Sequence, residues 1–201
     1  MSIQIGDKPD NGFDNPLGLL SDCHRRIERF LDYLQQVADQ AGGGPLTEDQ
    51  RHTLEISLRY FRNAAPRHTQ DEEESLFPRM KSTENEALHQ VLDKIQGLEA
   101  DHQRASDLHA VVDEIGTRWL KEGEISAEEV VSMKVALGEL EGLYDNHIAL
   151  EDQEVFPLAG SELPVEQIKA IGCEMAQRRG LSYEDPLRCR TRREETDGKV
   201  A

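Results

Sequence analysis

The chain has 201 residues, of which 40 are acidic and 23 are basic, so its formal net charge is −17. This negative charge disfavours nucleic acid and anionic lipid as partners, because both present negatively charged phosphates. The sequence contains no run of about 20 apolar residues, so a membrane-spanning helix is not expected, and the polar N-terminus without a basic and apolar leader favours a cytoplasmic protein.

The first predicted helix begins at Pro16. Residues 1–13 before it show no apolar periodicity and are predicted to form a flexible N-terminal lead. After Pro16, apolar residues recur at steps of three and four, and His24 lies on that apolar stripe. The glycines and proline of residues 42–45 end this helix, and a capping box that begins at Thr47 starts the second.

The second helix carries a histidine and a glutamate four residues apart, His68 and Glu72, on its apolar face. Pro66 is predicted to kink or break the helix just before His68, because proline removes one hydrogen bond and clashes with the carbonyl four residues earlier. The pair Phe77 and Pro78 follows nine and ten residues after the histidine and is predicted to end this segment.

The third predicted helix extends from Leu88 to Trp119, with His102 on its apolar stripe. A capping box at Ser126 starts the fourth helix, which carries the motif of the second helix again. This second copy consists of His147, Glu151, Phe156 and Pro157.

The two halves of this pattern have nearly the same spacing. His24 lies 44 residues before His68, and His102 lies 45 residues before His147, which indicates a duplicated two-helix unit. Four helices with short connections favour an all-α fold, an antiparallel up-down four-helix bundle, over residues 14–160.

Residues 161–201 are predicted to form a short accessory helix, from about Val165 to Arg179, and a mobile charged tail. Cys23, Cys173 and Cys189 lack the close spacing of a zinc site and are expected to be reduced thiols.

The repeat indicates a metal site. The inward positions of a bundle converge on its core, and a core does not accept several carboxylates and imidazoles unless a bound cation compensates for their lost hydration. Nitrogen and oxygen ligands without thiolate suit iron or manganese rather than a cysteine-based zinc site. The twofold repeat favours two metal ions, each bound by two histidines, with both glutamates as bridges. The candidate ligands are His24, His68, Glu72, His102, His147 and Glu151.

Several neighbouring residues are alternatives. Asp152 lies five residues after His147 and competes with Glu151 for the role of second bridge. Glu28 and Glu99 lie within one turn of a candidate histidine and are either extra ligands or acids outside the ligand layer. The other acids of the two motifs are expected to be solvated charges, namely Glu73, Glu74 and Glu154. The other histidines are expected to lie outside the site, namely His52, His89 and His109.

The six candidate ligands, both Phe-Pro pairs and the stretch 71–78 resemble the hemerythrin family, specifically the bacterial hemerythrin-like or HHE cation-binding domains. The resemblance covers about residues 14–160. It implies an up-down four-helix bundle with a non-haem di-iron centre, two bridging carboxylates and terminal histidine ligands. Members of this family bind dioxygen, sense oxygen, iron or redox state, or act in nitrosative and oxidative stress.

The chain departs from the oxygen-carrying members in two places. Leu98 stands where those proteins have a second histidine on the third helix, and Glu151 lies four residues after His147 rather than five. The missing histidine would open a further coordination position, which favours sensing or chemistry at iron over reversible oxygen carriage.

The leading hypothesis is a protein with two iron ions, bridged by oxo or hydroxo, that binds or senses oxygen, peroxide or nitric oxide, or handles iron. Manganese is an alternative metal. A second hypothesis is an enzyme that turns over peroxide or nitric oxide, and a third is a metal-free structural or interaction bundle. The sequence identifies no protein partner.

Overall fold

The computed structural model describes residues 10–83, 85–89 and 91–182, without the side chains of Ala87, His89 and Leu92. The predicted tail from residue 183 onward and residues 1–9 of the predicted lead are outside this part. Every regular element of the described residues is helical. The α-helices are α1 Pro16–Ala41, α2 Glu48–Asn63, α3 Ala65–Asp71, α4 Phe77–Ser82, α5 Glu86–His89, α6 Leu92–Glu122, α7 Ala127–Leu150, α8 Phe156–Glu162 and α9 Val165–Arg178, and two π-helical turns occupy Glu72–Leu76 and Glu151–Val155.

The starts of α2 and α7 are set by the predicted capping boxes. The hydroxyl of Thr47 accepts a hydrogen bond from the backbone of Gln50, and that of Ser126 accepts one from the backbone of Glu129. In both boxes the side-chain oxygen three residues on accepts a hydrogen bond from the backbone N–H of the capping residue. At the end of α6, Gly123 adopts a left-handed backbone with φ 88°, which glycine tolerates without steric strain.

The long helices α1, α2, α6 and α7 share one apolar core. α1 packs against α2 and α7, and α6 packs against the same two helices. Leu34, Leu58, Trp119 and Leu140 contribute one fully buried side chain from each helix. Burying a leucine of this kind contributes about 1.5–3 kcal/mol relative to exposing it. Among the described helices, none combines the length and the apolar character that crossing a bilayer requires.

A second apolar core is formed by the first turns of α1 and α6 and is closed by α4, α8 and α9. In α1, Leu20 belongs to this second core and Ile27 to the first, with His24 between them. In α6, Leu98 and Ala105 flank His102 in the same way. The histidines therefore form a polar layer between two apolar cores.

The predicted break before His68 is confirmed. α2 ends at Asn63, and α3 begins at Ala65 with Pro66 in its first turn, where the missing N–H of proline costs nothing.

The prediction that Phe77 and Pro78 end their segment is wrong, because the chain continues as α4 after a π-helical turn. Pro78 cannot donate a hydrogen bond, and its ring would clash with the carbonyl of Glu74 in a regular helix. In the π turn the backbone N–H of Phe77 reaches back to the carbonyl of Glu72, which makes room for the proline. The second motif repeats this arrangement, with the π turn before Pro157.

The predicted continuous helix from Leu88 is also interrupted. α5 is a separate short helix, and α6 begins only at Leu92, after Val91 leaves the helical conformation with ψ 2°. The interruption allows both Leu88 and Val91 to be buried in the second core.

Residues 10–13 lie against α1 and α9. The backbone and side-chain nitrogens of Asn11 donate to Oδ2 of the buried Asp22, at 2.8 and 3.2 Å. The carbonyl oxygen of Phe13 approaches Gly172 so closely that a Cβ there would lie 1.9 Å from it. Gly172 therefore allows α9 to pack directly on this segment.

Candidate metal centre

The six predicted ligand residues meet in the polar layer between the two cores. Glu72 and Glu151 have no exposed surface, and three of the four histidines are buried. One ligand atom from each of His24, His68, Glu72 and Glu151 can be chosen so that all lie within 4.8 Å of one another. The same is true of His102, His147 and Glu151.

The histidines form two pairs. The ring centroids of His24 and His68 are 4.8 Å apart, and those of His102 and His147 are 4.7 Å apart. Each pair consists of one histidine from α1 or α6 and one from the motif, a histidine followed four residues later by a glutamate, in the same half of the chain. The arrangement therefore contains two similar half-sites.

Glu72 lies between the two pairs. Its Oε1 is 3.3 Å from Nε2 of His68 and 3.9 Å from Nε2 of His24, and its Oε2 is 3.3 Å from Nε2 of His102. One oxygen of this carboxylate thus faces each half-site.

Glu151 has the matching position in the second motif. Its Oε2 is 3.0 Å from Nε2 of His24 and 3.3 Å from Nε2 of His147, one histidine from each pair. Asp152 points elsewhere: its Oδ1 contacts Nδ1 of His24 at 3.1 Å and accepts a hydrogen bond from Ser21 at 2.7 Å. The geometry therefore puts Glu151 at the centre and Asp152 outside it.

Each motif also supports the histidine of the other half. The acid after Glu72 is Glu73, whose Oε1 lies 2.9 Å from Nδ1 of His102. Its side chain is 37% exposed, as expected for a solvated charge, but the contact with His102 was not predicted. This contact mirrors that of Asp152 with His24. The outer nitrogens of the two histidines are thereby fixed, which orients Nε2 towards the centre.

The two Phe-Pro pairs cover the same histidines. Phe156 stacks on His24 with ring centroids 5.4 Å apart, and Phe77 stacks on His102 at 6.4 Å. The rings are nearly parallel in both cases, at 15° and 11°. A phenylalanine ring of the second core thus packs on each of these imidazoles.

The second histidine of each pair is supported less evenly. Nδ1 of His147 lies 3.5 Å from Oδ2 of Asp101, the residue before His102. Nδ1 of His68 has no hydrogen-bond partner among the described residues. The position that corresponds to Asp101 in the first half is Cys23, which offers no carboxylate. The two half-sites therefore differ in this one support.

The donor atoms fit a cation better than they fit one another. Both oxygens of Glu72, both oxygens of Glu151 and Nε2 of His24 and His102 are buried without an acceptable hydrogen bond among the described residues. Several of these atoms are nevertheless within 3.0–3.9 Å of each other. Atoms that are close but poorly aligned for hydrogen bonds are expected where ligands converge on a metal ion, and unsatisfied buried carboxylates are otherwise costly.

Burial and neighbouring charges shift the pKa values of this cluster. Burial raises the pKa of Glu72 to about 7, and the charge of Glu151 acts in the same direction. Burial lowers the pKa of His68 well below 6.5, and His24 adds to this effect. Burial opposes protonation of His24 too, but contacts with Asp152 and Glu151 outweigh it and raise the pKa to about 10. Cation binding at neutral pH must therefore displace protons.

A cavity of about 240 Å³ borders all four candidate histidines. Its walls include the apolar side chains of Ile27, Phe61 and Ile148 and the polar side chains of His109 and Tyr144. His109 was expected to lie outside the metal site, and Tyr144 was not among the predicted site residues. Their helical spacing from His102 and His147 was the only available signal, because neither has a counterpart in the repeat.

His109 is expected to remain neutral in the folded protein at pH values well below its ordinary pKa of 6.5. Its Nε2 lies 2.9 Å from the hydroxyl of Tyr144, and its ring stacks on Phe61 at 4.1 Å. Burial lowers the pKa of His109 from 6.5 to about 4. The unfolded chain therefore takes up a proton first, so stability contributed by His109 is full above pH 6.5 and is lost as the pH falls towards 4.

The measurement is the pH dependence of the unfolding free energy of metal-free protein, compared with His109→Gln. The variant should lose roughly 2 kcal/mol less between these pH values, because its side chain does not titrate. The exposed His52, replaced in the same way, is the matched control. A slope that is the same with and without His109 would contradict the assignment.

The remaining candidates lie outside the cluster. Glu28 is exposed, and Glu99 forms an ion pair with Lys81 at the surface. Glu74 and Glu154 are also exposed and pair with Arg178 and Lys94. The side chain of His89 is outside the described part of the chain.

Comparison with known proteins gives two matches. Residues 15–159 match a family model described as the hemerythrin HHE cation binding domain. An uncharacterised protein of Haemophilus influenzae is 28% identical over 169 residues, which cover 83% of this chain and 91% of that protein.

Proposed function

Since the chain belongs to the hemerythrin HHE cation-binding domain family, we propose that its buried cluster holds two iron ions and that the protein binds or senses oxygen, peroxide or nitric oxide, or handles iron. His24 and His68 would bind one ion and His102 and His147 the other. Glu72 and Glu151 would bridge them. The same nitrogen and oxygen donors are compatible with manganese.

One observation carries this proposal: two fully buried carboxylates lie between two histidine pairs with their oxygens unsatisfied among the described residues. Glu72 supports a bridging role most directly, because its two oxygens face different half-sites at 3.3 Å. A metal-free structural bundle is disfavoured, since it would leave the oxygens of both buried carboxylates without hydrogen bonds among the described residues.

The proposed architecture is an antiparallel up-down four-helix bundle over residues 14–160, built from α1, α2, α6 and α7. Residues 161–201 would form the accessory helix and charged tail. The packing of α1 and α6 against both α2 and α7 supports this arrangement.

The cavity beside the four histidines supports binding of a small ligand. Two iron ions held there would supply reversible electron transfer and open coordination positions. The apolar side chains of Ile27, Phe61 and Ile148 would exclude bulk water. The hydroxyl of Tyr144, 2.9 Å from Nε2 of His109, is one polar group in the cavity wall that could orient a ligand.

Anaerobic reconstitution with ferrous iron tests the proposal. We expect about two iron ions per chain, and an absorption band in the near ultraviolet and visible range after exposure to oxygen. His68→Ala should lose this band and metal, whereas replacing the exposed His52 should not. A colourless protein without stoichiometric iron after the same treatment would contradict the proposal.

Turnover of peroxide or nitric oxide is the second candidate, and the polar pair of Tyr144 and His109 at the cavity favours it. Such an enzyme would consume many equivalents of substrate per iron-loaded chain. Stoichiometric uptake without turnover in assays with peroxide and nitric oxide would favour binding or sensing.

Asp152→Asn is expected to weaken metal binding about tenfold to a hundredfold, because the carboxylate that orients Nδ1 of His24 is lost. Chelator competition titrations measure the affinity. Glu154→Gln is the matched control, since Glu154 lies in the same π turn but pairs with Lys94 at the surface. Equal affinities of Asp152→Asn and the unchanged chain would show that this contact does not position His24.

A further inference from the structure

A second cavity, of about 840 Å³, lies outside the histidine cluster, and we call it the arginine pocket. Arg26 of α1, Arg67 of α3 and Arg179 after α9 line it. The pocket thus collects cationic side chains from three segments that are far apart in the sequence.

The local charge of the arginine pocket is opposite to that of the chain. Acidic residues outnumber basic ones by 40 to 23 overall, but the pocket is lined by three arginines and one carboxylate, Asp10. The side chain of Asp10 is 87% exposed and lies 3.8 Å from Arg25, so it is poorly placed to neutralise the arginines. A bound anion would complement the positive charge of the pocket.

Arg26 is the group that most needs an acceptor. Its Nη2 is buried and has no hydrogen-bond partner among the described residues. Arg179, in contrast, already donates to Asp71 at 2.7 Å. An unsatisfied buried guanidinium N–H costs free energy, which an anionic acceptor would recover.

Four of the other lining residues are apolar or aromatic. Phe13, Leu19, Tyr60 and Ala64 border the same cavity as the arginines. A guanidinium group pairs well with the oxygens of a carboxylate or a phosphate group. The apolar part of the wall suits an organic group attached to that anion.

We propose that the arginine pocket binds a small organic anion, a carboxylate or a phosphate monoester with an apolar body, through Arg26 and Arg67. The site is distinct from the metal centre but adjoins one of its halves, because Cys23 in its lining precedes His24 and Arg67 precedes His68. Anion binding does not require bound metal, so this inference is independent of the proposed function.

Isothermal titration calorimetry on the full-length protein tests it, with inorganic phosphate, phenyl phosphate and benzoate as probes. One organic anion should bind at one site per chain and more tightly than inorganic phosphate, because only it can use the apolar wall. The comparison of phenyl phosphate with benzoate distinguishes a phosphate head from a carboxylate head.

Arg26→Gln should weaken this binding by about tenfold or more, since a charge-assisted hydrogen bond is lost. Arg67→Gln should also weaken it, and because Arg67 is exposed, this variant should remain folded. The matched control is Arg104→Gln, on α6, where the arginine pairs with Glu139.

No saturable binding of any probe would overturn the proposal, as would equal losses in Arg26→Gln and Arg104→Gln. Equal affinities for inorganic phosphate and both organic anions would also overturn it. Metal content measured on the same preparation keeps a negative result here separate from failure of the proposed metal site.

Discussion

Glu72→Gln is expected to lower the iron content from about two ions per chain to fewer than one, while the metal-free protein becomes no less stable. Glu72 faces both half-sites, with oxygens 3.3 Å from Nε2 of His68 and of His102. Glutamine has nearly the same shape, but its amide is neutral and has only one oxygen. One substitution therefore removes a ligand from both proposed ions.

The same substitution should not lower the stability of the metal-free protein. The Glu72 carboxylate is fully buried, and burial raises its pKa to about 7, so its charged form is disfavoured in the absence of a cation. Replacing it with a neutral amide removes this cost.

Metal analysis after reconstitution and urea unfolding of metal-free protein measure the two effects. The control is Glu74→Gln, in the same π turn, because Glu74 is exposed and pairs with Arg178. Retention of two iron ions by Glu72→Gln would contradict the bridging role. A large loss of metal-free stability would show that the carboxylate serves the fold instead.

Asp71→Asn is expected to lower the free energy of unfolding by about 3 kcal/mol and the melting temperature by roughly 6–12 °C. The Asp71 carboxylate has no exposed surface and accepts from Arg178 at 2.9 Å and from Arg179 at 2.7 Å. The amide retains an acceptor but loses the charge, and it leaves two guanidinium groups without their buried partner. Both arginines keep some access to water, so the effect should lie at the lower end for a broken buried pair.

This effect should appear in metal-free protein, because Asp71 fastens α9 to the start of the first π turn rather than binding metal. The control is Asp113→Asn, since Asp113 forms a largely exposed ion pair with Arg62 and should contribute only about 0–1 kcal/mol. Equal losses for the two variants would contradict a special role for the α9 contact.

The all-helical fold and the six residues of the cluster could be predicted from the sequence, because the patterns that indicate them are local. Helical periodicity and capping boxes act within a few residues, so the starts of α2 and α7 could be read directly at Thr47 and Ser126. The duplication then made four histidines stand out from their background. The two π turns were missed, because they depend on how the chain accommodates Pro78 and Pro157 within a continuing helix.

Contacts between distant segments were not predictable from periodicity. Glu73 is partly exposed as expected, but its contact with His102 on another helix was not predicted. Arg178 and Asp71 are 107 residues apart in sequence, and nothing in the local pattern of α9 indicates their contact. The arginine pocket was missed for the same reason, because Arg26 and Arg67 belong to different helices and become neighbours only after folding.

Each half of the chain supplies side chains that contact a histidine of the other half, so a single hairpin could not form its half-site alone. The acid and the phenylalanine that follow Glu72 contact His102, and those that follow Glu151 contact His24. A single hairpin would leave its own long-helix histidine unsupported while carrying the groups meant for a partner. Separate hairpins could complete the arrangement only as a twofold-symmetric dimer, in which both halves would be identical. Covalent linkage in one chain allows the halves to differ, as Cys23 and Asp101 do at corresponding positions.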